Sequence, residues 1–271
     1  MSNLKIGDIV ARKSYGGDIH FKIIDINIRN DGKKVYELRG LLYRIMADSH
    51  EEDLVKQDPR YIRKHLQRSL VSAGIYRLGW NFTGPSLFMR RIRGRAGKIL
   101  HMDSSPEYLD MCLKFYKQTD IRVIGQVIPE SEQPSRVRSL LVNTNADILI
   151  VTGHDSIKKN IENLNSIDNY SKSKYYIQSV REARKYEPSL EKLCIFAGAC
   201  QSYYEGLMDA GSNFASSPGR VLIHALDPAK VGDKVALTDT KGMVTPEQIA
   251  AITQSGSKGI GGINTRGHFI K

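Results

Sequence analysis

The sequence is poor in cysteine and has no long hydrophobic run. Its 271 residues include three cysteines, Cys112, Cys194 and Cys200. That is too few for a disulfide framework, so we expect thiols in a reducing compartment. No apolar run approaches the ~18 residues of a transmembrane helix, and we expect no membrane association. The first residues lack the apolar segment of a signal peptide, which favours a cytoplasmic protein.

Motifs for metals and for serine hydrolases are missing as well. The sequence has no CxxC pair, no HxxxH pair and no cluster of carboxylates with histidine, the patterns typical of zinc sites. We therefore expect no metal and no other cofactor. The sequence also has no GxSxG motif, which argues against a serine nucleophile of the α/β-hydrolase type.

Acidic residues are absent from one strongly basic segment. The chain carries a net charge of +11, and residues 60–98 contain ten lysines or arginines without any aspartate or glutamate. The pattern over 60–71 predicts a basic amphipathic helix, and glycines then break the chain into loops. The aromatic residues here are too dispersed to indicate base stacking. We interpret residues 58–97 as a linker whose basic face suits an acidic partner, and we do not expect nucleic acid.

Residues 1–57 are predicted to form a small all-β domain. Residues 21–26 and 35–45 are rich in β-branched and aromatic residues. Between them, 30–32 has the sequence Asn-Asp-Gly, a hairpin signal because these residues tolerate positive φ. Short strands with tight turns in so few residues predict an SH3-like or Tudor-like barrel. We expect such a barrel to bind a partner rather than to catalyse.

Strands and helices alternate in residues 98–271. The predicted strands are 98–102, 121–128, 147–152, 193–197 and 220–225. The predicted helices are one that begins after Ser105 and five others at 135–143, 171–186, 201–210, 228–237 and 246–253, before a glycine-rich tail at 259–266. Such βα units predict a mostly parallel sheet with helices on both faces. Functional sites in these sheets lie at the carboxyl ends of the strands.

Two of these strands end in similar segments that carry reactive side chains. One strand is followed by Gly153 and His154, and the next by Gly198, Ala199 and Cys200. An imidazole can take the proton of a thiol, which attacks as a thiolate, and can later protonate the leaving amine. Backbone N–H groups of the glycines and of a helix starting at Cys200 would stabilise an oxyanion. The pair therefore predicts a Cys–His hydrolase.

The same residues also fit other interpretations than a His154–Cys200 pair. A cysteine that ends a buried strand is commonly an inert core thiol, and His224 is a second candidate base. The chain is alternatively a non-catalytic basic protein of nucleic-acid binding or coat assembly. A third interpretation is a glutamine-amidotransferase-like cysteine hydrolase. Its histidine normally follows the cysteine, where only His224 and His268 are found.

Glycine-histidine followed by alanine-cysteine about fifty residues later resembles the caspase-like cysteine peptidases. Segments 7–18, 148–155, 196–202 and 213–218 further resemble the YabG family of sporulation-specific proteases, over the whole chain. The resemblance implies a caspase-like peptidase domain, here 98–271, with Cys200 as nucleophile and His154 as general acid/base. It implies cleavage after arginine in protein substrates, namely spore-coat and germination precursors. It places the enzyme in the cytoplasm of the mother cell or at the spore coat.

The chain departs from the wider caspase-like pattern at two positions. Asp155 stands where a glycine usually follows the histidine. Gly198 stands where several arginine-specific members have an acidic residue. An arginine pocket then needs another carboxylate, and the candidates are Asp155, Asp103 and Asp227. Ser216 and Ser217 fit either a rim that pairs with the substrate backbone or an ordinary turn before a proline.

The basic linker suggests self-processing. An enzyme that cleaves after arginine would find four arginines in this linker, Arg90, Arg91, Arg93 and Arg95. We hypothesise that cleavage there separates the N-terminal barrel from the peptidase domain.

Overall fold

The computed structural model describes residues 4–29, 32–72, 94–119, 121–159, 161 and 163–271. The chain divides into two compact units, residues 1–78 and 79–271. The domain boundaries predicted after 57 and 97 stay predictions. Three of the four linker arginines, Arg90, Arg91 and Arg93, lie outside the described residues.

The first unit contains an antiparallel sheet. Its strands are β1 (Ile9–Arg12), β2 (His20–Ile28), β3 (Lys34–Gly40), β4 (Met46–His50) and β5 (Leu54–Lys56), and helix α1 (Pro59–Ser72) follows. The described strands are ordered β4-β3-β2-β1-β5. Val10 pairs with Phe21 and Leu38 with Ile23, and all four are buried in one cluster, because residues 21 and 23 of β2 face the same side. The structure confirms the strands predicted within residues 1–57 and the helix predicted over 60–71. The barrel stays a prediction.

The second unit contains the alternating strands and helices. Its strands are β6 (Ile99–Asp103), β7 (Val123–Val127), β8 (Ile148–Thr152), β9 (Cys194–Ala197), β10 (Phe214–Ser216), β11 (Met243–Val244), β12 (Ile260–Gly262) and β13 (Thr265–Arg266). Its helices are α2 (Pro106–Tyr116), α3 (Gln133–Thr144), α4 (Ser173–Tyr186), α5 (Tyr204–Asp209), α6 (Asp227–Leu237), α7 (Pro246–Ile252) and α8 (Gly256–Gly259). Helix α2 begins as predicted, with the Ser105 hydroxyl accepting the Tyr108 N–H at 3.4 Å.

Six of the described strands form one sheet in the order β12-β10-β9-β8-β6-β7. All neighbours pair in parallel except β10 and β12, which are antiparallel. On one face Leu149 packs in a buried cluster with Val137 of α3 and Val180 of α4. On the other face Ile150 lies against Gly232 of α6. The predicted mostly parallel sheet with helices on both faces is therefore confirmed.

Three predicted elements differ from the structure, and one of them, the helix over 201–210, differs mainly in where it begins. The helix predicted from Gln201 begins only at Tyr204, because Gln201 has a φ of 54° in the left-handed region. Cys200 therefore does not start a helix. The strand predicted over 220–225 is irregular, with a φ of 55° at Arg220. Part of the segment predicted as a glycine-rich tail forms strand β12.

No helix among the described residues has both the length and the apolar character needed to cross a bilayer.

Candidate functional site

The loops that carry His154 and Cys200 leave the sheet at one edge, side by side. Val151 of β8 pairs with Ala197 of β9, so the two strands end at the same height. Just beyond, the Thr152 hydroxyl donates to the carbonyl oxygen of Gly198 at 2.8 Å. The parallel register thus brings together the two segments that the sequence singled out.

Ser104, Glu130 and Tyr176 make polar contacts with His154, and the ring of Tyr108 lies 5.5 Å from its ring. Its Nδ1 lies 3.2 Å from the Ser104 hydroxyl and 3.5 Å from Oε1 of Glu130. The same Oε1 accepts the backbone N–H of His154 at 2.9 Å and the hydroxyl of Ser104 at 2.5 Å. The Tyr176 hydroxyl donates to the His154 carbonyl oxygen at 2.9 Å. Backbone and ring of His154 are therefore both fixed.

The hydrogen bonds around Glu130 define the tautomer of His154. The Ser104 hydroxyl donates its single proton to Glu130, so Nδ1 carries a proton that it shares between the Ser104 oxygen and Oε1 of Glu130. The neutral ring then carries its proton on Nδ1 and presents a lone pair at Nε2. That Nε2 is buried and has no hydrogen-bond partner within the described residues. The geometry leaves it available as a base.

Glu130 itself is held in the charged form. Burial acts to raise its pKa, but the hydrogen bonds from the His154 and Ser104 side chains and from the His154 backbone lower the pKa to about 2. A carboxylate that stays ionised at neutral pH favours the imidazolium that forms when Nε2 takes up a proton. Glu130 thus occupies the position of an orienting third residue.

Cys200 is completely buried. Its Sγ lies 3.2 Å from the backbone nitrogen of Ile223 and 3.7 Å from the carbonyl oxygen of the same residue. The next residue, Gln201, donates its backbone N–H to the carbonyl oxygen of Val221 at 3.1 Å. The segment after β10 therefore covers the thiol.

Asp155 joins the two loops. One carboxylate oxygen accepts the backbone N–H groups of Ser156 and Lys172, at 2.9 and 2.7 Å. The other accepts the hydroxyls of Ser173 and Ser202, at 2.5 and 2.9 Å. Burial raises the pKa of Asp155 to about 6, although these hydrogen bonds lower it. This side chain links the segment after His154 to the segment after Cys200.

The predicted oxyanion region is tightly packed. A Cβ on Gly153 would lie 2.4 Å from the Ser104 hydroxyl, and one on Gly198 would lie 2.3 Å from the Ser216 hydroxyl. The N–H of Ala199 donates to the Ser202 hydroxyl at 2.9 Å. Glycine is thus required at both positions, and an oxyanion role for these amides stays a prediction.

The remaining predicted residues also have partners within the chain. Asp103 accepts the Ser105 N–H at 2.9 Å, and Asp227 accepts the Gln254 N–H at 2.8 Å; both carboxylates are buried. The Ser216 hydroxyl donates to the carbonyl oxygen of Ala199 and that of Ser217 to Val221, each at 2.7 Å. A buried carboxylate would have to give up its donors before it bound a substrate arginine. Their roles in substrate binding stay predictions.

Arg95 and His224 are each held by hydrogen bonds with the backbone. Arg95 and Ile270 exchange both backbone hydrogen bonds, at 2.7 and 2.9 Å. Nδ1 of His224 accepts the Leu226 N–H at 3.2 Å, which is unlike the carboxylate-held ring of His154. No group of three or more potential metal ligands occurs in the part of the chain that the structure describes.

Sequence reasoning did not find Glu130. It lies three positions beyond β7, which is separated from β8 by β6. The sequence around it, Ile-Pro-Glu-Ser, has no recognisable catalytic motif. The signal that could have found it was an acidic residue just after a strand end, where sites of parallel sheets are found.

Comparison with known proteins agrees with the resemblance of the motifs. The family model described as "YabG peptidase U57" matches residues 5–78 and 86–271. The chain is 37% identical over 276 residues to "Sporulation-specific protease YabG" of Bacillus subtilis (strain 168), covering 97% of this chain and 95% of that protein. No solved structure gives a significant match. The chain therefore belongs to the YabG peptidase U57 family.

Proposed function

We propose that the chain is a cysteine endopeptidase of sporulation in which Cys200 is the nucleophile and His154 the general acid/base. Membership of a peptidase family supports the reaction class. The observation that carries the assignment of residues is the network at His154. Nδ1 is engaged by Ser104 and Glu130, and Nε2 is left as an acceptor on the loop beside Cys200.

The reaction proceeds in two stages, formation of a thioester and its hydrolysis, and each is balanced in protons. Nε2 of His154 takes the proton of Cys200, and Sγ attacks the carbonyl carbon of the scissile peptide bond. When the tetrahedral intermediate collapses, the C–N bond breaks and the imidazolium protonates the leaving amine. In the hydrolysis of the thioester, His154 takes a proton from water, whose oxygen attacks the carbonyl carbon. The C–S bond then breaks, the imidazolium returns its proton to Sγ, and the carboxylic acid product leaves and loses its proton to solvent. Glu130 stabilises the imidazolium in both stages and is not itself protonated.

The substrates that we propose are spore-coat and germination precursors, cleaved after arginine. The relative named as a sporulation-specific protease supports a role in sporulation. We place the enzyme in the cytoplasm of the mother cell or at the spore coat. Self-cleavage at the linker arginines and an acidic partner for the basic linker belong to the same proposal.

We also infer a caspase-like arrangement for the second unit and an SH3-like barrel for the first. Histidine and cysteine lie past two neighbouring strands of a mostly parallel sheet, which supports the former. Five antiparallel strands around the buried residues Phe21 and Leu38 support the latter. In this scheme the barrel docks substrates or a coat scaffold.

The deciding experiment compares Cys200→Ala and His154→Ala with matched controls on an arginyl peptide. Each of these substitutions should abolish hydrolysis without changing the circular dichroism spectrum. Cys112→Ala removes another buried thiol and His50→Ala an exposed histidine of the first unit, and both should stay active. Mass spectrometry of the products locates the cleaved bonds. Full activity of His154→Ala would contradict the proposed dyad.

A further inference from the structure

Arg220 holds the segment that covers Cys200 in place through several side-chain contacts. We call residues 217–223 the strap. Arg220, in the middle of the strap, has only 12% of its side chain exposed, and its guanidinium forms an ion pair with Glu205. Its Nε donates to the Tyr170 hydroxyl at 2.7 Å, and Nη1 donates to the carbonyl oxygen of Ser217 at 3.2 Å.

Two aromatic rings complete the binding site for this guanidinium. Cζ of Arg220 lies 5.6 Å from the ring centroid of Tyr170 and 5.9 Å from that of Tyr203. The two rings are stacked on each other, 5.2 Å apart with an interplanar angle of 23°. We call Tyr170, Tyr203 and Glu205 the guanidinium cage. Aromatic faces with a carboxylate suit a planar cation better than the ammonium of lysine.

The cage belongs to the neighbourhood of Cys200. Tyr203 is three residues after Cys200, and Glu205 lies in the first turn of α5. The N–H of Gln201, directly after Cys200, donates to Val221 of the strap and to the Ser217 hydroxyl, both at 3.1 Å. A carbonyl oxygen of the strap therefore occupies the N–H directly after Cys200, and the guanidinium of the strap occupies the cage, whose Tyr203 lies three residues after Cys200.

The backbone of this region is held in an uncommon conformation. Gln201, Ser217 and Arg220 have φ values of 54°, 65° and 55°. Left-handed backbone at residues other than glycine costs free energy and persists only where surrounding contacts impose it. The base of the strap is paired with α8, through Ser217 N–H to Gly259 at 2.6 Å and Gly219 N–H to Lys258 at 2.9 Å. Arg220 thus fastens a strap whose other end stays anchored.

We propose that the guanidinium cage is a binding site for the arginine side chain of a peptide, and that Arg220 occupies it in the resting enzyme and keeps the strap over Cys200. The proposal rests on the proposed reaction at Cys200 and adds where the arginine binds and how access is controlled. Because Arg220 is tethered to the chain, it competes at a high effective concentration. Only a ligand with the same chemistry displaces it efficiently.

Binding of agmatine, a small guanidinium compound, tests the site without catalysis. The experiment uses the full chain with Cys200→Ala, and calorimetry measures the dissociation constant. Adding Arg220→Gln should tighten agmatine binding at least tenfold, since the internal competitor is gone. Adding Glu205→Gln to that double variant should remove the gain. Arg266→Gln serves as a matched control, because Arg266 forms an exposed ion pair with Glu191 at 3.4 Å, and it should leave binding unchanged.

A second measurement follows the strap itself. Iodoacetamide should alkylate Cys200 at least tenfold faster in Arg220→Gln than in the otherwise unchanged chain, as measured by peptide mass spectrometry. If Arg220→Gln does not fold, Arg220→Lys decides, because it keeps the charge and loses the planar fork. Agmatine binding that is equal with and without Arg220, or that survives Glu205→Gln, overturns the proposal and makes the cage a structural ion pair only. These outcomes do not depend on whether the chain hydrolyses peptides.

Discussion

One carboxylate oxygen of Glu130 contacts both the backbone and the ring of His154. Oε1 accepts the His154 N–H at 2.9 Å and lies 3.5 Å from Nδ1. An amide in its place would still fit the space but would no longer stabilise the imidazolium. We expect Glu130→Gln to lower kcat by about 10²- to 10⁴-fold, with a smaller effect on KM. Steady-state kinetics on an arginyl peptide measure this. Glu132→Gln, an exposed neighbour, is the control, and an equal loss there would remove Glu130 from the mechanism.

The same substitution should change the acid stability. The pKa of Glu130 is lowered to about 2 from 4.5, so the ionised carboxylate stabilises the fold above pH 4.5. This stability is lost as the pH falls towards 2. The destabilisation caused by Glu130→Gln should therefore be largest at pH 5 to 7 and shrink at lower pH. Urea unfolding at several pH values checks it, and a penalty independent of pH would contradict the assigned ionisation.

Asp155 should give the stability of the fold a pH dependence of the opposite sign. Burial raises its pKa to about 6 from 3.8, so its ionisation weakens the fold as the pH rises through 6. The native protein should gain about 1 kcal/mol from this residue between pH 7 and pH 5. Asp155→Asn should lack that gain. Asp209→Asn, at an exposed position, should retain it, and identical pH curves for both variants would show that Asp155 is not the group responsible.

Gly198 offers a direct test of packing at the end of β9. Its φ is +105°, and an added Cβ would lie 2.3 Å from the Ser216 hydroxyl. Gly198→Ala should cost about 2–4 kcal/mol of unfolding free energy through backbone strain and overpacking. Gly256 also has a positive φ, +59°, with nothing within 4 Å of the added atom. Gly256→Ala should cost only about 1 kcal/mol, and denaturant unfolding of both variants separates crowding from strain.

Self-processing predicts a fragment pattern. Wild type should yield two fragments that separate near Arg90 to Arg95, whereas Cys200→Ala should remain intact on a denaturing gel. N-terminal sequencing of the larger fragment would identify the arginine used. Equal fragmentation of both proteins at this linker would mean that another protease cuts there.

Strands β8 and β9 could be predicted because their sequences are distinctive, whereas β10 and β12 were not predicted. β8 and β9 are short, uninterrupted apolar runs that are buried on both faces, a pattern that single-sequence reasoning recognises. Because parallel strands end at one edge, His154 and Cys200 could also be placed in one region. This inference needed only local sequence and a general rule of sheet topology.

Glu130 and the strap could not be predicted in the same way. Glu130 reaches His154 across β6, so its proximity depends on strand order, which no local pattern encodes. Gln201 and Arg220 adopt left-handed backbone that their residue types do not favour. Tertiary contacts therefore override the helix predicted at Gln201 and the strand predicted at Arg220.

The late position of β12 in the sequence has a consequence for folding during synthesis. β12 follows every other strand of the six-stranded sheet in the sequence, and residues 258 and 259 just before it hold the base of the strap. The other five strands have been synthesised before the ribosome adds β12. In the growing polypeptide the strap is therefore made before residues 258 and 259 can hold its base.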